Sequence, residues 1–150
     1  ILSELDANYL EFVSTIKTSS INMVTYGKRM KIEFENLLKD IKIDRVIVEN
    51  QIGPLALRMK TLQGMIMQHF IEKGCDIIEE IAASNKLKDY LKKKKTKYCE
   101  RKRLSIEVTK KILEENNNLH HWIPHFIEHK KKDDLADSFL QGIWYIKYKL

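Results

Sequence analysis

An α/β fold is the class this sequence predicts, and three observations predict it. Short β-branched runs alternate with longer segments whose apolar residues recur at helical spacing. The 150 residues are 43% apolar, enough for one hydrophobic core and hardly for two. Two prolines, five glycines and no Ser/Gly-rich linker or internal repeat leave nothing to divide the chain, so one domain over 1–150 is expected. Alternating strands and helices build parallel pairs with right-handed crossovers, which here implies a mixed sheet flanked by helices.

The elements follow in order. Tyr9 to Ile16 (YLEFVSTI) alternates loosely and is rich in β-formers, so it predicts a strand. Ile21 to Leu38 carries Met23, Gly27, Met30, Phe34, Leu37 and Ile41 on one helical stripe. Arg45 to Glu49 (RVIVE) is too short for a helix and has the look of a buried central strand. The turn residues of Asn50 to Pro54 follow it. Leu55 to Phe70 predicts a helix with Leu55, Met59, Leu62, Ile66 and Phe70 inward and Arg58, Lys60 and Gln63 away from that stripe; Gly74 ends it. Cys75 to Ile81 predicts a third strand. Glu100 to Glu115 predicts a helix lined by Leu104, Val108 and Ile112, stopped at Asn116 to Asn118. Trp122 to Ile127 is apolar but interrupted by Pro124, and an irregular or short helical piece is expected. Lys132 to Tyr148 closes the chain as a helix with Leu135, Phe139, Ile143 and Ile146 buried.

The +6 net charge is unevenly placed. Lys86 to Arg103 holds ten basic residues and two acids, Asp89 and Glu100, while the rest of the chain sums to −2. Such a segment is either the footprint of a polyanion-binding surface or a solvated lysine-rich loop. Cys75 and Cys99 lie far apart and outside any CxxC pair, which predicts two reduced thiols. No stretch has the ~18 consecutive apolar residues of a membrane span, and the first residues lack a signal-peptide pattern. A soluble intracellular protein with no membrane partner is the expectation.

Two features could carry chemistry. Glu49 closes an apolar strand, where a carboxylate is costly without a cation. Asp134 and Asp137 are three apart at a helix start, with Asp133 one turn from Asp137, and acids this close repel unless a cation lies between them. Each feature alone also fits an ordinary solvated strand end or an acid-decorated helix start. Together they make a hard-oxygen set suited to Mg²⁺ or Mn²⁺. A pair of such ions activates water and stabilises the leaving oxygen in phosphodiester hydrolysis.

Three segments carry a resemblance. Val46-Ile47-Val48-Glu49-Asn50-Gln51 resembles the second catalytic strand of the Holliday-junction resolvases of poxviruses, other large DNA viruses and mitochondria. Lys131-Lys132-Asp133-Asp134-Leu135-Ala136-Asp137-Ser138-Phe139 resembles their C-terminal helix motif, and Tyr98 to Glu107 resembles their basic segment. The three occur in family order between Val46 and Phe139. The resemblance implies a RuvC-like, ribonuclease H-like fold and a homodimer that cuts four-way DNA junctions with Mg²⁺ or Mn²⁺, two ions per site. It implies Glu49, Asp134 and Asp137 as metal ligands and Lys102, or the adjacent Arg103, on the scissile phosphate. Asp133 would be an outer partner or a helix cap. Lys92, Lys93, Lys94 and Lys95, with Arg101 and Arg103, would grip flanking backbone. Part of the Leu55 to Phe70 helix would build the dimer. The family's first strand carries an Asp followed by Gly; Ile1 to Asn8 does not fit it, and the expectation is a gap between Ser3 and Glu4.

His120, His121, His125 and His129 have no cysteine near them, and packing is the simpler reading than zinc. Met59, Met65 and Met67 read as core or dimer-interface filler, and Trp122 and Trp144 as packing residues rather than base-stacking ones. Two other functions stay open beside junction resolution: a broader nuclease on branched DNA or RNA–DNA hybrids, and a catalytically inactive nucleic-acid-binding module.

Overall fold

The computed structural model describes residues 21–53, 56–91 and 96–150. The predicted strand Tyr9 to Ile16, the first residues and Lys92 to Lys95 lie outside the described residues. The chain is α/β and mostly helical. It falls into two compact units, Ile1–Glu80 and Ile81–Leu150.

The first unit is built on a strand–helix–strand arrangement. Helix α1 (Met23–Leu37) starts at Asn22, whose side chain accepts a 2.7 Å bond from the Val24 N–H and satisfies one orphan donor of the first turn. Strand β1 (Arg45–Glu49) leads through a turn at Gly53 (φ 106°) into α2 (Leu57–Glu72) and then β2 (Ile77–Ile81). The strands pair as parallel neighbours in the sheet of the described residues. Gly74 (φ 77°) ends α2: its N–H reaches Ile71 O and that of Cys75 reaches Phe70 O, both at 3.0 Å. This pair of bonds needs a left-handed residue between them, which glycine takes without a Cβ clash.

Helix α1 rests on α2. Phe34 lies 5.3 Å from both His69 and Phe70, ring centre to ring centre. A Cβ at Gly27 would meet the Met65 methyl, the movable end of a flexible side chain. The expected stripe ends there: Leu37 and Ile41 are exposed, because the helix stops at Leu37 and the chain turns to β1. Strand β1 is half-buried rather than enclosed, with only Val46 fully buried. On α2, Met59 is exposed and Gln63 is buried, the reverse of the sequence expectation. Gln63 is inside because its amide finds polar partners there.

The second unit is helical. A 3₁₀ turn (Asn85–Leu87) precedes α3 (Tyr98–Glu115), a second 3₁₀ segment (Asn117–Trp122), α4 (Ile123–Glu128) and α5 (Lys132–Lys149). Glu100 reaches back to accept the Lys97 N–H at 2.8 Å, closing the start of α3. Asn116 ends α3 and accepts from the Asn118 N–H, opening the 3₁₀ segment. Pro124 does not break α4; it sits in the first turn, where its missing N–H has no intrahelical partner to lose.

Two apolar clusters hold this unit. Leu87, Val108 and Leu140 form one; Leu113, Phe126 and Ala136 form the other. Phe139 packs against both. The buried face of α5 is therefore Ala136, Leu140 and Tyr145, one position round from the predicted stripe, and Ile146 is exposed. Ala136 packs against helical residues. On α3, Ser105 and Thr109 are buried beside Val108 and Leu113. Tyr145 is buried, and Trp144 is half-buried with its ring 5.8 Å from Tyr148. Trp122, expected to be packed, is half exposed among His121 and His125.

Candidate active site

The carboxylates at the start of α5 converge on a lysine from α3. Lys131 is the N-cap of α5, which puts Asp133 and Asp134 in the first turn and Asp137 on the next. Asp133 is therefore not the cap the sequence allowed. Backbone N–H groups at this end favour negative charge. Lys102 Nζ lies 3.1 Å from Asp133 Oδ2, 3.1 Å from Asp134 Oδ1 and 3.3 Å from Asp137 Oδ2. Lys86, from the 3₁₀ turn, approaches the same Asp137 oxygen at 2.9 Å.

Burial grades these contacts. The side chains of Lys86, Asp137 and Lys102 are 16%, 17% and 20% exposed, whereas Asp134 is 64% exposed. Burial pushes the Asp137 carboxyl up, but the Lys86 hydrogen bond, the nearby Ser105 hydroxyl and the charges of both lysines outweigh it and hold it below the usual carboxylate range. Burial likewise disfavours the Lys102 ammonium, yet its bonds to Asp133 and Asp134 and the charge of Asp137 raise it above an ordinary lysine. The Lys102 bond holds Asp133 low.

The other Asp137 oxygen, Oδ1, is buried, and the Ser105 hydroxyl lies beside the same carboxylate. Among the described residues no three His, Cys, Asp or Glu side chains are grouped tightly enough to hold a metal by themselves. The α5 acids are hard-oxygen donors, the type that Mg²⁺ or Mn²⁺ takes.

Glu49 belongs to the other unit, where it ends β1, partly buried. Its strand end is pinned by polar bonds. The Gln51 N–H donates to Gln63 Oε1 at 2.9 Å, and Gln51 Nε2 donates to Glu49 O at 3.2 Å. Gln63 Nε2 donates to Glu80 Oε1 at 2.5 Å, and Lys60 reaches Asn50 Oδ1 at 3.0 Å. The two halves of the expected carboxylate set thus fall in different units.

The basic segment divides in its use. Lys86 and Lys102 turn inward to the acids. Arg101 donates to Thr96 O at 2.7 Å, and exposed Arg103 pairs with Glu107 at 3.5 Å. Of the expected backbone-gripping residues, Lys92, Lys93, Lys94 and Lys95 lie outside the described residues. Sequence reasoning missed Lys86 and Ser105 as members of the site: Lys86 registered only as charge, and nothing in the spelling of Ser105 marks it. Among the histidines, His120 Nε2 meets Glu114 O at 2.8 Å and His129 Nδ1 accepts the Lys131 N–H at 3.0 Å. Cys75 and Cys99 are free thiols, and no helix of the described residues is long and apolar enough to cross a membrane.

Residues 4–149 match the family model described as Poxvirus A22 protein, and the chain belongs to that family. An uncharacterized protein of Acanthamoeba polyphaga mimivirus is 33% identical over 125 residues. That match takes in 71% of this chain but only 29% of the relative, so the chain spans under a third of that protein's length. No solved structure matches.

Proposed function

We propose that this member of the family is a viral structure-selective endonuclease that resolves four-way DNA junctions by divalent-metal-dependent phosphodiester hydrolysis, on a ribonuclease H-like fold. The observation that carries the reading is the Lys102 ammonium set among Asp133, Asp134 and Asp137. A cation-seeking acid cluster next to a lysine suits a reaction in which negative charge builds on phosphate.

Asp134 and Asp137 would hold Mg²⁺ or Mn²⁺, with Glu49 assigned as a further ligand by resemblance. Bound ions would supply water activation and neutralise the leaving oxygen. Lys102 would steady the scissile phosphate, and Asp133 would keep its ammonium in place when no phosphate is there. Arg101, Arg103 and Lys92 to Lys95 would bind flanking phosphates, which positions the substrate without reading sequence. A four-way junction has near two-fold symmetry, so paired incisions call for a homodimer with an isologous interface.

The test is cleavage of a four-way junction, a linear duplex and an RNA–DNA hybrid, each with Mg²⁺ and with chelator. Paired nicks confined to the junction and abolished by chelator support the proposal. Asp134→Asn should stop cutting and retain junction affinity; normal cutting by that variant removes the site from consideration. Junction binding without cleavage under Mg²⁺ or Mn²⁺ favours a binding module, in which the lysines simply neutralise the acids.

A further inference from the structure

We propose that the cavity where α1 and α2 both end is a binding site for a nucleoside phosphate, with the base on Phe34 and His69 and the phosphate among Lys39, Lys42 and Lys73. The cavity lies wholly within the first unit and is independent of the α5 acids and of the nuclease reading.

Its volume is about 550 Å³, within the roughly 300–1,000 Å³ of small-molecule sites. The walls come from the last turn of α1, the connection toward β1 and the stretch that ends α2. Phe34 and His69 are half-buried, with ring centres 5.3 Å apart. Phe70, 5.3 Å from one and 5.2 Å from the other, is buried and fixes the pair from inside. A partly open aromatic wall takes a flat apolar ring, and every nucleobase offers one.

Charge decides the other end of the ligand. Helix C-termini by themselves favour a cation. Here several end carbonyls are already taken: the Leu38 N–H donates to Phe34 O at 3.0 Å, that of Lys73 to His69 O at 3.1 Å and that of Cys75 to Phe70 O at 3.0 Å. Three lysines and one glutamate line the cavity, which turns its field toward anions. Lys73 meets that glutamate, Glu35, at 3.3 Å, and Lys42 meets Asp44 at 3.3 Å, all four side chains being at least 40% exposed. Exposed pairs of this kind are weak. A phosphate carries more charge and more acceptor oxygens than one carboxylate, and it displaces the acids from the ammonium groups.

The cavity holds its own reporter. Cys75 lines it as a partly buried free thiol, and Cys99 is an exposed free thiol in the second unit. The test titrates the full chain, in chelator, with adenosine diphosphate, with adenosine and with pyrophosphate by calorimetry, and follows alkylation of the two thiols by mass spectrometry. Adenosine diphosphate should bind, with each fragment at least about tenfold weaker. It should slow alkylation of Cys75 and leave Cys99 unchanged. Lys39→Met with Lys42→Met, and separately His69→Ala, should weaken binding about tenfold. Lys110→Met with Lys111→Met, which removes the same charge from the exposed side of α3, should leave it unchanged. Thermal melts verify folding, and the Lys39 and Lys42 side chains are exposed, so that pair of changes spares the core. Absence of adenosine diphosphate binding, protection of both thiols alike, equal losses in the two lysine pairs, or pyrophosphate binding as tightly as the nucleotide overturns the proposal. A single-stranded oligodeoxyadenylate that protects Cys75 supports the site with a strand as the source of the nucleotide; protection by adenosine diphosphate alone supports it with the free nucleotide as the source.

Discussion

Replacing Gln63 by leucine is expected to destabilise the fold although an apolar residue would enter a buried site, because the amide's hydrogen bonds are lost. Gln63 is 3% exposed, accepts the Gln51 N–H at 2.9 Å and donates to Glu80 at 2.5 Å. Leucine fills a similar volume but removes both bonds. The Gln51 N–H is left without its acceptor, and Glu80 keeps only the more distant Lys60 at 3.6 Å. A bond to a charged group is worth about 1.5–3 kcal/mol and a stranded buried donor costs about 1–3 kcal/mol; added apolar burial offsets part, for a net loss of about 2.5 kcal/mol. For a chain of this size that lowers the melting temperature by roughly 5–10 °C. Guanidinium unfolding at neutral pH followed by circular dichroism measures it. Gln68→Leu is the control: the same substitution on the exposed side of α2, where Gln68 bonds Glu72 at 3.1 Å, should stay within about 0.5 kcal/mol of native. Equal losses in the two variants would refute the reasoning, since burial would then have no bearing on the cost.

Three further outcomes are expected. Leu140→Ala, at a side chain 1% exposed between α3 and the first 3₁₀ turn, should lose about 3 kcal/mol in the same unfolding assay; a loss below about 1 kcal/mol means that the cluster relaxes around the gap. Asp89→Asn should show a pH-dependent deficit in melting temperature. Lys147 and Tyr148 both bond Asp89, hold its carboxyl low and are themselves raised by it. The native advantage is therefore present between the ordinary carboxylate and ordinary Lys/Tyr ranges. It is lost as pH falls through the lowered Asp89 value or rises through the raised Lys147 and Tyr148 values, so a deficit that persists at both extremes contradicts the assignment. Glu49→Gln should abolish junction cutting and spare junction binding in a gel-shift assay; retained cutting excludes Glu49 as a ligand.

The helices were legible from periodicity, because apolar spacing at 3.6 residues reports burial directly. Strand β1 matches its predicted bounds, Arg45 and Glu49, and Gly74 marks the end of α2 by the backbone conformation it alone takes easily. Faces were less legible than elements. Gln63, Ser105 and Thr109 are polar and buried, and a pattern of apolar letters cannot register a side chain that enters the core by finding a partner or by being small. The buried line of α5 moved by one position because Ala136, a weak signal in hydropathy, is the residue that lets neighbouring groups close in. The short helical piece expected around Pro124 is the six-residue α4, with the proline in its first turn. At the site, the Asp134–Asp137 spacing pointed to a shared face, and the structure brings both to Lys102. Lys86 was invisible because it is separated from Asp137 by 51 residues and reads as one more charge in a basic run.

The small side chains along α3 give the second unit a gauge. Ser105 sits one turn beyond Lys102, and its size limits how far that helix stands from the Asp137 carboxylate. A leucine in its place would wedge the two elements apart, and a separation of even an ångström is enough to turn a salt link into a loose approach. The distance between α3 and this carboxylate can therefore be tuned by volume alone, from a position that carries no charge.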